Sequence, residues 1–358
     1  MALILHGTVA DNTAVLSRPN AKPIIINGDM AVAQRATSAT GQTGSDYPVI
    51  DRIFMRLSDA GTYTITQDSD VPEGYGFSKS MKIDCTTAND GLEAADFMFL
   101  DVRFEQQDMR IFNKGTSSAK KITVAAWVKS PKTGTHVIGL FDSKNSRYCM
   151  QTYTISSANT WTKAIVTFPA DTAGNEFDVD NTRGLSPQFW FAAGSNFTSG
   201  SAATAWESYT AANQAVGQVN CSDSTGNNIL ITGIQMEVGE FDANSIAPFQ
   251  HESFGDNLRR CQRYRYQYSG VNAEDTGSLA YLFPIDVTRN FRRGDVYFPS
   301  QMRAAPTITR PSGRLNNSSD ITLVAQNQNI NSFSLAFEVS TANTDYVQIS
   351  GYEATAEL

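Results

Sequence analysis

Residues 122–128 read Ile-Thr-Val-Ala-Ala-Trp-Val, and this stretch decides the fold class of the chain. Apolar side chains recur at every second position, so Ile122, Val124 and Ala126 would share one face of a strand. A period of two residues is typical of a half-buried β-strand. Comparable runs, divided by clusters of Gly, Ser, Asn and Asp, occur at residues 137–141, 147–155, 164–168, 188–192 and 229–238. Short strands joined by turns at this density predict an all-β chain built around a jelly-roll β-sandwich.

The composition agrees with this fold class and excludes two kinds of partner. Charged residues make up 18% of the 358 residues, against about 25% in ordinary globular proteins. The net charge is −8, and the sequence has no lysine or arginine tract, so nucleic acid is not expected as a partner. No apolar run approaches the roughly 18 residues of a membrane helix, so membrane insertion is not expected either.

The cysteines and the N-terminus bear on metal binding and location. Cys85, Cys149, Cys221 and Cys261 are far apart and form no Cys-x-x-Cys pair, which predicts buried free thiols rather than a zinc site. The N-terminal residues lack the basic start and the length of a secretory signal. We therefore expect the chain to be made in a cytoplasm.

The sequence predicts four segments. They are an N-terminal arm, a large jelly roll, a linker helix and a second, smaller β-sandwich, at residues 1–22, 23–250, 251–268 and 269–358. The arm either frays or orders on docking to a partner, because its Leu-Ile-Leu run is costly to expose.

The linker helix is predicted from apolar residues at intervals of three and four. Phe254, Leu258, Cys261 and Tyr264 would share one face of such a helix. That face either packs onto the sandwiches or forms the three-fold seam of a homotrimer.

No catalytic motif is present in the sequence. The histidines His6, His136 and His251 lie in no HExxH motif and beside no GxSxG elbow, and the last two are interpreted as surface or interface residues. Carboxylates are abundant, but sequence alone does not pair them across a cleft as a glycosidase requires. We expect a protein that is not an enzyme, with a polysaccharide depolymerase as the alternative.

Aromatic residues provide the candidate sugar site. Trp127, Trp161 and Trp190 are interpreted as core residues, because they lie in or beside predicted strands. Trp206 instead lies in a loop of Gly, Ser, Ala and Thr, between Phe197 and Tyr209. An aromatic residue in such a loop either anchors the loop or forms a platform for a ligand.

A structural calcium ion is the one cofactor with a candidate site. Asn27, Asp29 and Glu237 lie at the ends of the first and last strands of the predicted jelly roll. Calcium prefers carboxylate and carbonyl oxygens. The alternative role of Asn27 and Asp29 is to cap a turn.

Three stretches together resemble tail-fibre and related structural proteins of bacteriophages. The first is Ile-Asn-Gly-Asp-Met-Ala-Val-Ala-Gln-Arg at 26–35, followed by Tyr47 and Asp51-Arg52. The second runs from Ile-Thr-Gly-Ile-Gln-Met-Glu-Val-Gly at 231–239 through 247–249 and 253–255 to 260–264. The third joins Met-Arg-Ala-Ala-Pro-Thr at 302–307 to Ala-Glu-Leu at 356–358. Residues 125–130 and 154–161 fit the same pattern.

The resemblance implies a carbohydrate-binding-module-like jelly roll, a short helix and a β-rich C-terminal tip. It also implies a virion protein assembled in the bacterial host cytoplasm, homotrimeric, docked to other virion proteins through its arm and attached to host cell-surface glycans. Only about two dozen residues precede the jelly roll, so a head fibre, a decoration protein and a tail-hub appendage stand beside a tail fibre. A purely architectural protein without sugar binding is the alternative function.

Overall fold

A computed structural model describes residues 22–269, 279–281, 291–309, 313–315, 321–339, 347–349 and 351–358. The predicted N-terminal arm lies outside these residues except for Lys22. The chain divides into two compact units, Met1–Phe254 and Gly255–Leu358.

The described part of the first unit contains twelve β-strands. In chain order they are β1 (Ser38–Gln42), β2 (Ile53–Ser58), β3 (Thr62–Asp68), β4 (Ser80–Thr87), β5 (Phe97–Val102), β6 (Ile122–Lys129), β7 (Gly134–Asp142), β8 (Arg147–Ile155), β9 (Thr162–Phe168), β10 (Leu185–Ala193), β11 (Glu207–Ser208) and β12 (Asn228–Val238). Two single-turn helices, α1 (Gln106–Met109) and α2 (Ser195–Thr198), and two 3₁₀ turns, Arg110–Phe112 and Ala211–Asn213, lie in the connections.

These strands form two six-stranded antiparallel sheets. The first sheet has the order β1-β3-β4-β12-β6-β9, and the second has the order β11-β8-β7-β10-β5-β2. Many neighbours in each sheet are distant in sequence, and β12 for example lies between β4 and β6. The predicted all-β sandwich is confirmed.

One apolar core fills the space between the two sheets. Its members alternate along the strands of both sheets, as the period of two requires. From the first sheet it includes Val124, Ala126, Val128, Ala164, Val166, Ile234 and Met236, and from the second Met55, Leu100, Leu140, Phe189 and Phe191. The opposite face of the second sheet is covered too, because Trp190, Phe99 and Tyr148 pack there with Phe197, Ala203 and Ala215.

The second unit contains all of helix α3 except its first residue and continues as β-structure. Helix α3 spans Phe254–Gln262. The strands after it are β13 (Arg265–Ser269), β14 (Leu279–Tyr281), β15 (Phe291–Tyr297), β16 (Thr307–Thr309), β17 (Gly313–Leu315), β18 (Ile321–Gln326), β19 (Ser332–Val339), β20 (Val347–Ile349) and β21 (Gly351–Thr355). Among the described residues they form three three-stranded antiparallel sheets, β13-β21-β16, β14-β20-β17 and β15-β19-β18.

The linker helix is shorter than predicted. Residues 251–268 were expected to be helical, but the helix ends at Gln262 and Arg265–Ser269 is a strand paired with β21. The reason is local, because Tyr266 and Tyr268 alternate with polar residues and aromatic side chains favour strands. The spacing of four residues between Tyr264 and Tyr268 also fits a helix, so the sequence pattern did not reveal this change of period.

All four cysteines are buried free thiols, as predicted. Burial raises the pKa of Cys149 and of Cys221 to about 12. Thiols with such pKa values are poor nucleophiles at neutral pH. Within the described residues, no helix combines the length and the hydrophobicity that a membrane span needs.

Candidate functional site

A cleft of about 390 Å³ lies on the face of the first sheet that points away from the core. Its lining is dominated by aromatic side chains, with a lysine, a glutamine and a histidine among them. The lining residues are Gly74, Tyr75, Phe77, Trp127, Lys163, Gln235, Ile246, Pro248, Phe249 and His251.

Strand alternation places the floor of this cleft. On β6, Val124, Ala126 and Val128 belong to the core between the sheets. Trp127 therefore points to the opposite face, where it is half-buried. Its partner across the ladder to β9 is Lys163, and both side chains line the cleft.

A bulge in β12 lets aromatic rings approach the floor closely. The register between β12 and β6 shifts between Thr232 and Gln235, and Gly233 within the shift has a φ of +61°. A Cβ atom at Gly233 would lie 2.6 Å from Cζ of Phe77 and 3.1 Å from Cδ1 of Trp127. Only glycine meets both the backbone angle and the space.

The same bulge receives the Asn-Gly turn of residues 27–28. The Ile234 N–H donates to the Gly28 carbonyl oxygen over 2.9 Å. A Cβ atom at Gly28 would lie 2.2 Å from the Ile234 carbonyl oxygen. The turn at residues 27–28 is thus fixed to the strand that underlies the cleft.

The walls of the cleft come from two segments that contact each other. Phe77, Phe249 and His251 form a mutual cluster with ring centroids 4.9–5.0 Å apart. His251 Nε2 lies 2.9 Å from the Tyr75 carbonyl oxygen. The connection between β3 and β4 is therefore joined to the segment that follows β12, although Tyr75 and His251 are 176 residues apart in the sequence.

Two polar side chains of β12 fix these walls to the sheet. Gln235 Nε2 donates to the Ala247 carbonyl oxygen over 3.1 Å. The Thr232 hydroxyl donates to the Lys79 carbonyl oxygen over 2.7 Å. A cleft whose walls and floor are bonded to one another is largely formed before a ligand arrives.

Tyr75 is the most exposed aromatic side chain of the cleft. It is 52% exposed, and its ring centroid lies 4.5 Å from that of Trp127 at an angle of 48°. The two tilted rings together form an aromatic surface that faces solvent.

Lys163 is the cation of the cleft. Burial lowers the pKa of its ammonium group. Lysines nearby on the same sheet are paired, Lys129 with Asp70 over 2.6 Å and Lys82 with Asp84 over 3.5 Å. Among the contacts within the described residues, Lys163 has no ion pair and no hydrogen bond through its side chain.

The loop predicted as a sugar platform lies elsewhere. Trp206 packs against the main core, donates its indole N–H to the Pro169 carbonyl oxygen over 2.8 Å, and has Lys114 Nζ 4.6 Å from its ring. Phe197 packs on the outer face of the second sheet. Tyr209 is 45% exposed. These contacts favour the loop-anchoring role for Trp206 and leave Tyr209 as the accessible ring of the group.

The residues of the predicted calcium site are engaged in the turn. The Asn27 side chain accepts the Val32 N–H over 2.9 Å and donates to the Val32 and Asp51 carbonyl oxygens. Asp29 Oδ1 accepts the Ala31 N–H over 3.4 Å. In the described part of the chain, no three His, Cys, Asp or Glu side chains are grouped to hold a metal ion. The turn-capping alternative accounts for Asn27, and calcium binding with Glu237 stays a prediction.

The predicted trimer seam does not present one uniform apolar face. Phe254 is 60% exposed and Leu258 is half-buried. Cys261 and Tyr264 are buried, and Tyr264 follows the end of α3. Whether Phe254 and Leu258 contact another copy of the chain stays a prediction.

Three interpretations of single residues from the sequence were wrong. Trp127 and Trp161 are half-buried rather than core residues; Trp127 faces the cleft, and the Trp161 indole N–H donates to Asp70 over 3.0 Å. His136, expected at a surface or interface, is fully buried, and its ring stacks on Tyr153 with centroids 5.4 Å apart. The alternation of β6 indicates that Trp127 faces away from the core, because Val124 and Ala126 already occupy the core side of that strand. Trp190 is buried as predicted.

Comparisons with known proteins find similarity in structure. No protein-family model matches the chain, and no curated protein matches it in sequence. The enzymatically active domain of tailspike protein 4 of bacteriophage CBA120 is 14% identical with a TM-score of 0.31, over 60% of this chain and 21% of that domain. The family 11 carbohydrate-binding module of a Clostridium thermocellum cellulosomal cellulase is 11% identical with a TM-score of 0.28, over 56% of this chain and 98% of the module.

A family 4 carbohydrate-binding module gives a similar result. It is 14% identical with a TM-score of 0.27, over 60% of this chain and 99% of the module. This chain spans about a fifth of the length of the tailspike domain and nearly all of each module. What the chain binds therefore has to be argued from its own side chains.

Proposed function

We propose that the cleft on the first sheet binds carbohydrate. The observation that carries this proposal is the pair formed by Tyr75 and Trp127, which meet 4.5 Å apart above a sheet whose other face is the core. Large aromatic side chains usually bury their surface in the protein. Here Tyr75 keeps half of its surface in water, so it is placed to bury that surface against a ligand.

The chemistry of a sugar ring matches the lining of the cleft. A pyranose presents C–H groups on its faces and hydroxyl groups around its rim. Tyr75, Trp127 and Phe249 offer apolar ring surface, while Gln235, Lys163 and His251 offer polar atoms. Ligand sites commonly combine an apolar lining with a few polar groups that set orientation.

For the whole chain we propose a structural protein of a bacteriophage particle that holds host cell-surface glycan through this cleft. The support is the resemblance of residues 26–35, 231–239 and 302–307 to bacteriophage fibre proteins. A homotrimer docked to other virion proteins through the N-terminal arm would present three clefts, and repetition multiplies modest affinities. A purely architectural protein is the alternative, and it predicts that no glycan is bound.

Binding without cleavage is part of the proposal. A glycosidase needs two carboxyl groups across the scissile bond, whereas this cleft is lined by aromatic, amide, imidazole and ammonium groups. A depolymerase would release reducing ends from a polysaccharide that it binds. Measuring reducing ends during prolonged incubation with each bound glycan separates the two activities.

The experiment that tests the proposal compares two tryptophan variants of the full chain on an array of bacterial and plant glycans. Trp127→Ala removes the floor of the cleft, and Trp161→Ala removes another half-buried tryptophan that is not part of its lining. We expect Trp127→Ala to weaken binding by about tenfold or more, the equivalent of about 1.4 kcal/mol, with Trp161→Ala close to wild type. Equal binding by wild type and Trp127→Ala, or no glycan bound by wild type, would overturn the proposal.

A further inference from the structure

The ammonium group of Lys163 is the feature of the cleft that a neutral sugar leaves unused. Lys163 stands opposite Trp127 across the β6–β9 ladder, so its side chain begins beside the aromatic floor. It is half-buried, and within the described residues no carboxylate is paired with it. A partly desolvated ammonium group without a counter-ion raises the free energy of the empty site.

The lining offers nothing that would compensate this charge. The other polar side chains that line the cleft are Gln235, Tyr75 and His251, and none of them is an acid. Asp70, an acid on the same side of the sheet, is already bound by Lys129 and by the Trp161 indole. A ligand carboxylate in the cleft would therefore find a cation that has no competing partner there.

The net negative charge of the chain restricts where an acidic ligand can bind. The net charge is −8, so an acidic polymer is repelled by the molecule on average. A single ammonium group in a cleft of about 390 Å³ with low-dielectric aromatic walls opposes that repulsion at one place. The arrangement suits one carboxylate per bound segment and does not suit a broad polyanion-binding surface.

We propose that the cleft selects acidic sugars, with Lys163 forming a charge-assisted hydrogen bond to the carboxylate of a uronic or sialic acid residue stacked on Trp127. This inference rests on the proposed function, since it names the class of glycan that the same cleft takes. The charge-assisted hydrogen bond to the carboxylate compensates for the hydration that the Lys163 ammonium group loses in the cleft. The ammonium pKa, which burial lowers in the free protein, rises when the carboxylate binds.

The test uses ligands that differ only in the charge of the carboxyl group. Full-length protein is titrated by calorimetry with hexagalacturonate and with its methyl ester, and in parallel with hyaluronan and polysialic acid oligomers and their carboxyl-reduced forms. We expect at least one acidic oligomer to bind about tenfold or more tightly than its neutral counterpart. We also expect added salt to weaken the binding of that acidic oligomer more than the binding of its neutral counterpart.

Two variants assign the preference to Lys163. Lys163→Met keeps the length of the side chain and removes its charge, and it should abolish the roughly tenfold preference for the acidic oligomer over its neutral counterpart. Lys144→Met removes a charge from the Lys144–Asp178 surface pair and should keep the preference. An acidic preference that is retained in Lys144→Met excludes a general effect of net charge on binding.

The outcomes separate this inference from the proposed function. Neutral oligomers that bind as tightly as acidic ones, with binding lost in Trp127→Ala, would overturn the acidic preference and leave the cleft as a glycan site. An acidic preference that survives Lys163→Met would also overturn it. If no oligomer, acidic or neutral, binds in a manner that depends on Trp127, both the inference and the proposed function fail.

Discussion

The aromatic rings of Tyr75 and Trp127 meet with their centroids 4.5 Å apart, although the two residues come from a loop and from the middle of a strand. Trp127 is held by the β6 ladder, and Tyr75 is held through its backbone carbonyl oxygen by His251. The contact brings a fixed ring and an exposed ring to one surface of the first sheet. It connects the fold of the chain to its proposed function.

Exposed tyrosines allow the two candidate sugar sites to be compared directly. Tyr75 in the cleft is 52% exposed and Tyr209 in the predicted platform loop is 45% exposed. Replacing either with alanine removes a similar ring from the surface, so both variants should keep the wild-type unfolding temperature within a few degrees. We expect Tyr75→Ala to lose about tenfold in affinity for any glycan that binds the wild type and Tyr209→Ala to lose little. The reverse order in a calorimetric titration would move the site to the loop of Trp206.

The bulge glycine provides a prediction about the shape of the cleft. Gly233→Ala places a methyl group against Phe77 and Trp127 at a φ of +61°. We expect a loss of stability of about 1–3 kcal/mol and weaker glycan binding by the folded protein, because both rings must move. Gly91→Ala is the matched control, since nothing lies within 4 Å of its Cβ position. Urea denaturation of both variants checks this, and a wild-type midpoint for Gly233→Ala would contradict the assigned geometry.

A buried ion network explains why Trp206 is fixed. Lys114 pairs with Asp142 and with Asp171, all three groups are nearly inaccessible, and its Nζ lies 4.6 Å from the Trp206 ring. Lys114→Met leaves the buried Asp142 carboxylate without its cation, whereas Asp171 keeps its pair with Arg147. An uncompensated buried charge should cost about 3 kcal/mol or more. Lys121→Met, in the exposed pair with Glu240, should cost less than about 1 kcal/mol. Equal denaturation midpoints for the two variants would show that the network contributes nothing.

His136 predicts how stability depends on pH. Burial lowers the pKa of His136 from 6.5 to about 4. Between pH 6.5 and 4 the unfolded chain takes up a proton at this residue that the folded chain does not, so stability falls as pH is lowered through this range. The loss contributed by His136 should reach about 3 kcal/mol near pH 4.

The His136→Phe variant tests this assignment, because phenylalanine keeps a ring against Tyr153 and does not titrate. We expect its unfolding free energy to change less between pH 6.5 and 4 than that of the wild type. A wild-type slope in His136→Phe would assign the pH dependence to other groups.

Local pattern was sufficient for much of the fold and failed where side chains from distant segments meet. Residues 147–155 were predicted as a strand and are a strand with those bounds, because alternation is a local property. The cleft could not be predicted in the same way. Tyr75, Phe249 and Lys163 are brought together by a strand order in which β12 lies between β4 and β6, and no local pattern encodes that order.

Trp127 shows how a residue in a correctly predicted strand can still be misassigned. The strand and its two faces were predicted, but the tryptophan was assigned to the core because it lies within the strand. The core side of β6 holds smaller side chains, Val124, Ala126 and Val128. A large aromatic residue on the polar side of an alternating strand indicates an apolar surface that a ligand can bury.

Fluorine NMR of the full chain labelled with 5-fluorotryptophan would show whether a sugar binds against Trp127. The four tryptophans, Trp127, Trp161, Trp190 and Trp206, give resonances that single Trp→Phe substitutions assign. On titration with the tightest-binding oligosaccharide from the acidic and neutral series, we predict that the Trp127 resonance shifts and saturates while those of Trp190 and Trp206 stay in place. A saturating shift confined to Trp206, with Trp127 unmoved, would contradict the account.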